Sequence, residues 1–201
     1  MKKNLLMIFV KNPQLGTVKT RLAATIGEEN ALKIYHHLLS HTHRISSPLQ
    51  CHKAVFYSSF IDRDDRWRND HYEKFLQTGD DLGERMYNAF DKGFILGYRN
   101  IVIIGSDCLE LEQRHITAAF KHLEDHDVVI GPSKDGGYYL LGMKMLHPEI
   151  FTNKRWSAES VFHTTIEDLD RLGLKTCTLP ILSDVDTEND VGELSKLIEH
   201  C

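Results

Sequence analysis

The sequence predicts an α/β fold: a single domain in which a mostly parallel sheet is covered by helices on both faces, giving three layers. Three observations carry that prediction. Short apolar or β-branched runs alternate along the chain with stretches of helical periodicity. At 201 residues the chain suits one domain with a sizeable core, here taken as residues 1–201. And the residues with chemical potential fall just after the strand-like runs, where open α/β sheets place their ligands.

Taken in order, Leu5–Val10 is an uninterrupted apolar run and reads as a buried strand. Glu28–Ile45 is a helix, because Ala31, Ile34, Tyr35, Leu38 and Leu39 recur at helical spacing. Ala54–Tyr57 is a strand, followed by a polar loop, SFIDRDDRWRND. Asp81–Gly97 is a helix with Leu82, Met86, Ala89, Phe90 and Gly93 on one face. Ile101–Ile104 is a β-branched strand, Gln113–Leu123 a helix, and Val128–Ile130 and Tyr138–Leu141 strands. Ala158–Leu172 is helical, Leu174–Leu179 a strand, and Thr187–Ile198 a closing helix.

The net charge of -5 argues against a nucleic-acid partner, which calls for a basic face. No apolar run is long enough to span a bilayer, and Leu5–Val10 is too short for a signal-peptide core, so the expectation is a cytoplasmic protein. Cys51, Cys108, Cys177 and Cys201 are scattered without a CxxC pair and read as reduced thiols. His37 and His41 share a helix face but lack an intervening Glu and a third ligand, which excludes a zinc-protease motif. There is no GxSxG elbow.

Five stretches have a chemical reading beside a plain one. VKNPQLGTVKTRL follows the first strand and gathers Lys11, Lys19 and Arg21 around Gly16; it suits phosphates, or it is a basic surface turn. It has neither the two glycines of a Walker loop nor GxGxxG. In IVIIGSDCLEL, Asp107 stands just beyond a strand, as a magnesium carboxylate would, or it caps the next helix. Cys108 beside it has no base partner and reads as a small buried residue. In GPSKDGGYYLLG, Asp135, Gly136 and Gly137 make a hairpin turn, or leave room for a flat ligand against the backbone. In LSDVDTEND, Thr187 and Asp190 resemble a capping box, which leaves Asp184 and Asp186 over; one of them is a candidate second metal carboxylate, or both belong to a solvated acidic loop. In QTGDDLGERMYNAF, Asp80 or Asp81 is a natural N-cap, and Arg85 is placed to pair with Asp81.

The ordered set KNPQLGTVKTRL, GDDLGERM, GSDCLEL, GPSKDGGYYLLG, WS and DVDTEND resembles a bacterial family of GT-A-fold nucleotide-diphospho-sugar transferases, small single-domain glycosyltransferase-like proteins that include the arsenosugar-biosynthesis type. The resemblance runs from about Leu5 to Ile198. It implies a mixed central sheet, a nucleotide site over the N-terminal half, and a divalent metal, Mg²⁺ or Mn²⁺. By the same resemblance, Gly16, Lys19 and Arg21 match the nucleotide- or phosphate-binding loop, Asp107 and Asp186 the metal carboxylates, and Asp135, Gly136 and Gly137 the acceptor- or sugar-side loop. Where that family has Pro after Asp107 and Cys108, this chain has Leu109.

The function so implied is metal-dependent transfer from a nucleotide-activated donor, foremost glycosyl transfer from a nucleotide sugar to a small-molecule acceptor. Asp107 would hold the metal at the diphosphate, and Asp135 is the candidate general base for the acceptor hydroxyl. Nucleotidyl transfer from an NTP is the alternative on the same fold, and a non-catalytic nucleotide-binding protein a second one.

Overall fold

Seven strands form one sheet in the order β3-β2-β1-β4-β6-β5-β7. The computed structural model describes residues 3–156 and 158–198; Ser157 of the WS block and Cys201 lie outside them. β1 (Asn4–Val10) is central, parallel to β2 (His52–Tyr57) on one side and to β4 (Asn100–Ile104) on the other. Its burial on both faces explains why it reads as one apolar run rather than as an alternation. β6 (Tyr138–Met143) lies antiparallel to both β4 and β5 (Val128–Pro132), and this one reversed strand makes a parallel sheet a mixed one. β3 (Glu73–Leu76) and β7 (Thr176–Thr178) close the two edges, each parallel to its neighbour.

Two cores lie on opposite faces of the sheet. On one face Leu6, Ile8, Val55, Val102 and Ile104 pack with Leu22 of α1 (Thr20–Ile26), Ile34, Tyr35 and Leu38 of α2 (Glu28–Ser46), and Ile116 of α4 (Gln113–His122). On the other, Leu5, Met7, Phe56 and Ile103 pack with Met86 and Phe90 of α3 (Leu82–Ile95) and Leu169 of α5 (Val161–Arg171). The predicted three-layer α/β architecture is therefore present.

Three departures have local causes. The expected closing helix is instead two short 3₁₀ segments, Glu188–Asp190 and Gly192–Leu197. Gly192 opens the second of them at φ 50, a left-handed conformation that does not continue an α-helix. α1 has no cap signal in the sequence, because its N-cap is Lys19, whose side chain caps nothing. β3 is a four-residue edge strand with no period-two alternation.

The polar segment after β2 is a stitched loop rather than a solvated one. Trp67 is buried, and the Asp65 carboxylate accepts from Tyr57 Oη at 2.6 Å and from Lys74 Nζ at 2.7 Å. His41 is also structural: its Nε2 lies 2.7 Å from the Leu111 carbonyl oxygen. Among the described cysteines, Cys51, Cys108 and Cys177 are free thiols, as expected.

Candidate active site

The carboxyl ends of β1, β4 and β5 each lead into a loop that carries charge, and these loops meet above the sheet. After β1 the chain turns at Gln14–Thr17, closed by Thr17 N donating to the Gln14 carbonyl at 3.2 Å. Gly16 takes φ 75 in that turn. A β-carbon there would meet only the end of the Glu28 side chain, at 3.2 Å, so the backbone conformation rather than crowding calls for glycine.

The loop is anchored on both flanks by buried polar side chains. Tyr35 Oη accepts from Lys11 N at 2.9 Å and lies 2.9 Å from the Lys11 carbonyl oxygen and 3.2 Å from Ser106 Oγ. Burial, followed by the Asp107 charge, pushes the Tyr35 phenol well above its ordinary range and keeps it a neutral hydrogen-bonding post. Asn12 Oδ1 accepts from Ser59 N at 2.9 Å while its Nδ2 donates to the Phe60 carbonyl at 2.9 Å, tying the start of the loop to the end of β2. Neither residue stands out in the sequence. Tyr35 looks like one more position on the apolar stripe of α2, and Asn12 like a turn former ahead of Pro13.

The loop ends on two ion pairs. Lys19 Nζ lies 2.8 Å from Asp107 Oδ2, with the lysine side chain only 4% exposed and the aspartate 42%. Lys19 is held in the left-handed region, φ 50 and ψ 44, where a non-glycine residue is uncommon. Arg21 Nη1 donates to Asp186 Oδ2 at 2.7 Å, with the arginine side chain 68% exposed. Two neighbouring cations, Lys19 and Arg21, are thus each joined to a carboxylate from a distant part of the sequence, Asp107 and Asp186.

Asp184 joins them. Burial, and then the charges of Asp107 and Asp135, push its carboxyl up to about 7, while Lys19 and the Cys108 thiol pull the other way. Buried and facing the Asp107 and Asp135 charges, Asp184 holds its proton near neutrality. The segment carrying Asp184 and Asp186 is fixed by its backbone: Val185 N donates to the Asp107 carbonyl at 3.0 Å and Ser183 N to Glu110 Oε2 at 2.8 Å. Cys108 is buried and burial raises its thiol far out of the nucleophilic range, which supports its structural reading.

The third loop is the β5–β6 hairpin. Gly136 N donates to the Ser133 carbonyl at 3.1 Å, and Asp135 Oδ1 accepts from Gly137 N at 3.0 Å and from the Ser133 hydroxyl. Asp135 Oδ2 takes no hydrogen bond among the described residues. Gly136 takes φ 86, and a β-carbon there would strike the Glu159 backbone. At Gly137 a β-carbon would sit 3.3 Å from Asp135 Oδ1. Both glycines are therefore accounted for by the turn and by the segment lying over it. That same segment sets the Trp156 indole against Gly83, where any side chain would collide with it.

Beside this cluster, Asp81 caps α3 by accepting from Glu84 N at 2.8 Å. Arg85 Nε donates to the Gly79 carbonyl at 2.9 Å instead of pairing with Asp81. Thr187 and Asp190 do form the expected capping box.

No group of three or more His, Cys, Asp or Glu side chains is placed to hold a metal among the described residues. Asp107 and Asp186 are hard oxygen donors, and a divalent cation would relieve the repulsion that the Asp107 and Asp135 charges exert on Asp184. That set suits Mg²⁺, which takes one or two protein carboxylates and completes its shell with phosphates and water. No helix among the described residues is long and apolar enough to cross a membrane.

The geometry can be set beside known proteins. The family model described as an uncharacterized protein conserved in bacteria (DUF2064) matches residues 42–158. A candidate nucleotide-diphospho-sugar transferase from Desulfovibrio desulfuricans G20 is 33% identical, with 96% of this chain and 87% of that chain covered and a TM-score of 0.88. The inositol-1-phosphate CTP transferase of T. maritima shares the fold at 12% identity, covering 96% and 94% with a TM-score of 0.62. A CMP:2-keto-3-deoxy-manno-octonic acid synthetase complexed with CTP does so at 10%, covering 98% of each chain with a TM-score of 0.57. No match is found among curated proteins. With more than half its length in the family model and a full-length relative at this identity, the chain belongs to the DUF2064 family, within the GT-A-like nucleotide-diphospho-sugar transferases.

Proposed function

We propose that this chain is a metal-assisted transferase that uses a nucleotide-activated donor, foremost a glycosyltransferase acting on a nucleotide-diphospho-sugar. The observation that carries the reading is the meeting of two cations of the opening loop with two carboxylates beyond the strands: Lys19 with Asp107 at 2.8 Å and Arg21 with Asp186 at 2.7 Å. A diphosphate and a divalent cation need both kinds of group side by side.

In this reading Lys19 and Arg21 bind the phosphates, and Asp107 and Asp186 hold Mg²⁺ or Mn²⁺. The metal supplies charge stabilisation for the departing diphosphate. Asp135, with Oδ1 fixed by Gly137 N and Oδ2 open, accepts the proton of an acceptor hydroxyl. The acceptor oxygen forms a bond to the sugar carbon as that carbon's bond to the diphosphate oxygen breaks, and the electron pair leaves with the nucleotide.

Nucleotidyl transfer from an NTP to a phosphorylated metabolite is the second reading. It is favoured by fold neighbours whose names include a CTP transferase and a synthetase complexed with CTP. It would use the same cations on a triphosphate.

A thermal-shift panel of NTPs, NDPs and nucleotide sugars, with and without Mg²⁺ or Mn²⁺, decides between the two. A ligand at a hundred times its Kd adds about 2.7 kcal/mol to stability. Metal-dependent stabilisation by one nucleotide sugar, lost in Asp107→Asn, is the expected result. Preference for an NTP supports nucleotidyl transfer. No response to any nucleotide sinks both.

A further inference from the structure

The β3 edge of the sheet carries a pocket that the transferase reading does not use. It lies between β3 and α3, has a volume of about 240 Å³, and shares no residue with the pairs Lys19–Asp107 and Arg21–Asp186. Phe56 and Phe75, cross-strand neighbours whose ring centroids are 5.2 Å apart, form its floor. Arg85, Asn88 and Lys92 line its wall, at the i, i+3 and i+7 spacing that puts them on one face of α3. Thr78 stands at its rim, where its carbonyl accepts from Asn88 Nδ2 at 2.8 Å. We infer that this pocket is a second binding site, for a small organic anion: a planar apolar body lies against Phe75, and Arg85, assisted by Lys92, receives its carboxylate or phosphate. The inference is independent of the transferase reading.

The charge balance of the pocket carries the argument. Two of its lining residues are cations and none is an acid. Arg85 is half-buried, and its Nε donates to the Gly79 carbonyl at 2.9 Å. Its two terminal nitrogens have no hydrogen-bond partner among the described residues. A guanidinium held at Nε presents those terminal N–H groups as a fork, the geometry that carboxylates and phosphates take bidentately. Lys92 pairs with no carboxylate among the described residues; its ammonium lies 4.6 Å from the Phe75 ring centroid, a cation–π contact. A partly desolvated cation without a counter-charge is costly, and an anion between these two groups removes that cost.

The larger cleft at the amino ends of β1 and β4, about 560 Å³, lacks this imbalance. Lys3 and Lys144 line it, but Lys3 lies 3.4 Å from Glu124 and Lys144 lies 3.4 Å from Asp127, so acids already answer both lysines. It also has no aromatic floor. Size then limits the ligand of the β3 pocket. At about 240 Å³ it falls below the roughly 300–1,000 Å³ that drug-sized ligands occupy, so it suits one ring with its acid group rather than a nucleotide.

The test uses the whole protein in EDTA, with benzoate and phenyl phosphate as ligands and amide NMR spectra as the readout. The expected result is saturable shifts at the Thr78 and Arg85 backbone amides and at the Asn88 side-chain amide, and the tighter of the two ligands names the anionic group. Benzamide, which keeps the ring without the charge, and acetate, which keeps the charge without the ring, should each bind at least about tenfold more weakly than benzoate. Arg85→Gln should weaken the tighter ligand at least about tenfold, the worth of a charge-assisted hydrogen bond. Lys92→Gln, at an exposed position where folding is not at risk, should weaken it by about threefold. Shifts confined to the opening loop, benzamide binding as tightly as benzoate, or an affinity unchanged in both variants overturn the inference. So does the absence of a saturable shift with either anion.

Discussion

The opening loop and the β5–β6 turn both end near Asp184, and they are held in opposite ways. Residues 11–19 are fastened by polar contacts and charge: Tyr35 on the Lys11 backbone, Lys19 on Asp107, and Arg21, just inside α1, on Asp186. The turn at residues 133–137 is fastened by backbone and sterics. Gly136 N reaches the Ser133 carbonyl, Phe162 N reaches the Gly136 carbonyl at 2.8 Å, and the Glu159 backbone fills the space where a side chain at Gly136 would go. An exposed ion pair such as Arg21–Asp186 can exchange one partner for another at little net cost, whereas close-packed backbone cannot. The first loop is thus held in part by a charge that another charged group could satisfy, and the second by packing that keeps Asp135 in a set position.

Substitutions that separate sterics from charge sharpen this contrast. The largest effect belongs to Gly136→Ala. It combines a collision with the Glu159 backbone and a left-handed conformation, φ 86, and should cost about 3–5 kcal/mol in a urea melt. A loss under about 1 kcal/mol would mean that the overlying segment gives way freely, and the steric account of this turn would fail.

Asp184→Asn comes next and should act in the other direction. The Asp184 carboxyl is raised from 3.8 to about 7 in the folded protein, so between those values the native state holds more protons than the unfolded state. Stability contributed at this position is full below the unfolded value and falls as pH rises through about 7. Asparagine, like the protonated acid, carries no charge to bury. The variant should be more stable than the wild type by about 2–4 kcal/mol at pH 8, with the difference closing toward pH 4. Parallel denaturant titrations at the two pH values check this, and a pH-independent difference would contradict the charge origin of the effect.

Gly16→Ala should be the mildest. Its β-carbon meets only the movable end of Glu28, leaving the cost of a left-handed alanine, about 1 kcal/mol. A loss as large as that of Gly136→Ala would show the opening loop to be as tightly packed as the turn, and the contrast between them would collapse.

Much of this was open to sequence reasoning because it is local. The central strand announced itself through the apolar run Leu5–Val10, and α2 and α3 through helical spacing of core residues that the folded chain does bury. Capping chemistry was equally legible at Asp81 and at Thr187 with Asp190, since both hydrogen-bonding partners lie within four residues. The closing segment reads as a helix because its apolar spacing outweighs Gly192, whose left-handed backbone splits it into two short turns.

What the sequence by itself determined is the class of fold, the stations along the chain where charge gathers, and, through six ordered blocks, the family. Only the tertiary structure decided which charges meet. Lys19 and Asp107 are 88 positions apart (107 − 19), and Arg21 and Asp186 are 165 apart. Nothing in local periodicity records pairings across those distances: strands β1 and β4 lie side by side and deliver Lys19 and Asp107 to the same end of the sheet, and the bond from Val185 N to the Asp107 carbonyl brings the segment with Asp186 alongside. The proton on Asp184 is likewise a product of the fold: its neighbours in sequence are ordinary, and its affinity for that proton comes from burial beside Asp107 and Asp135.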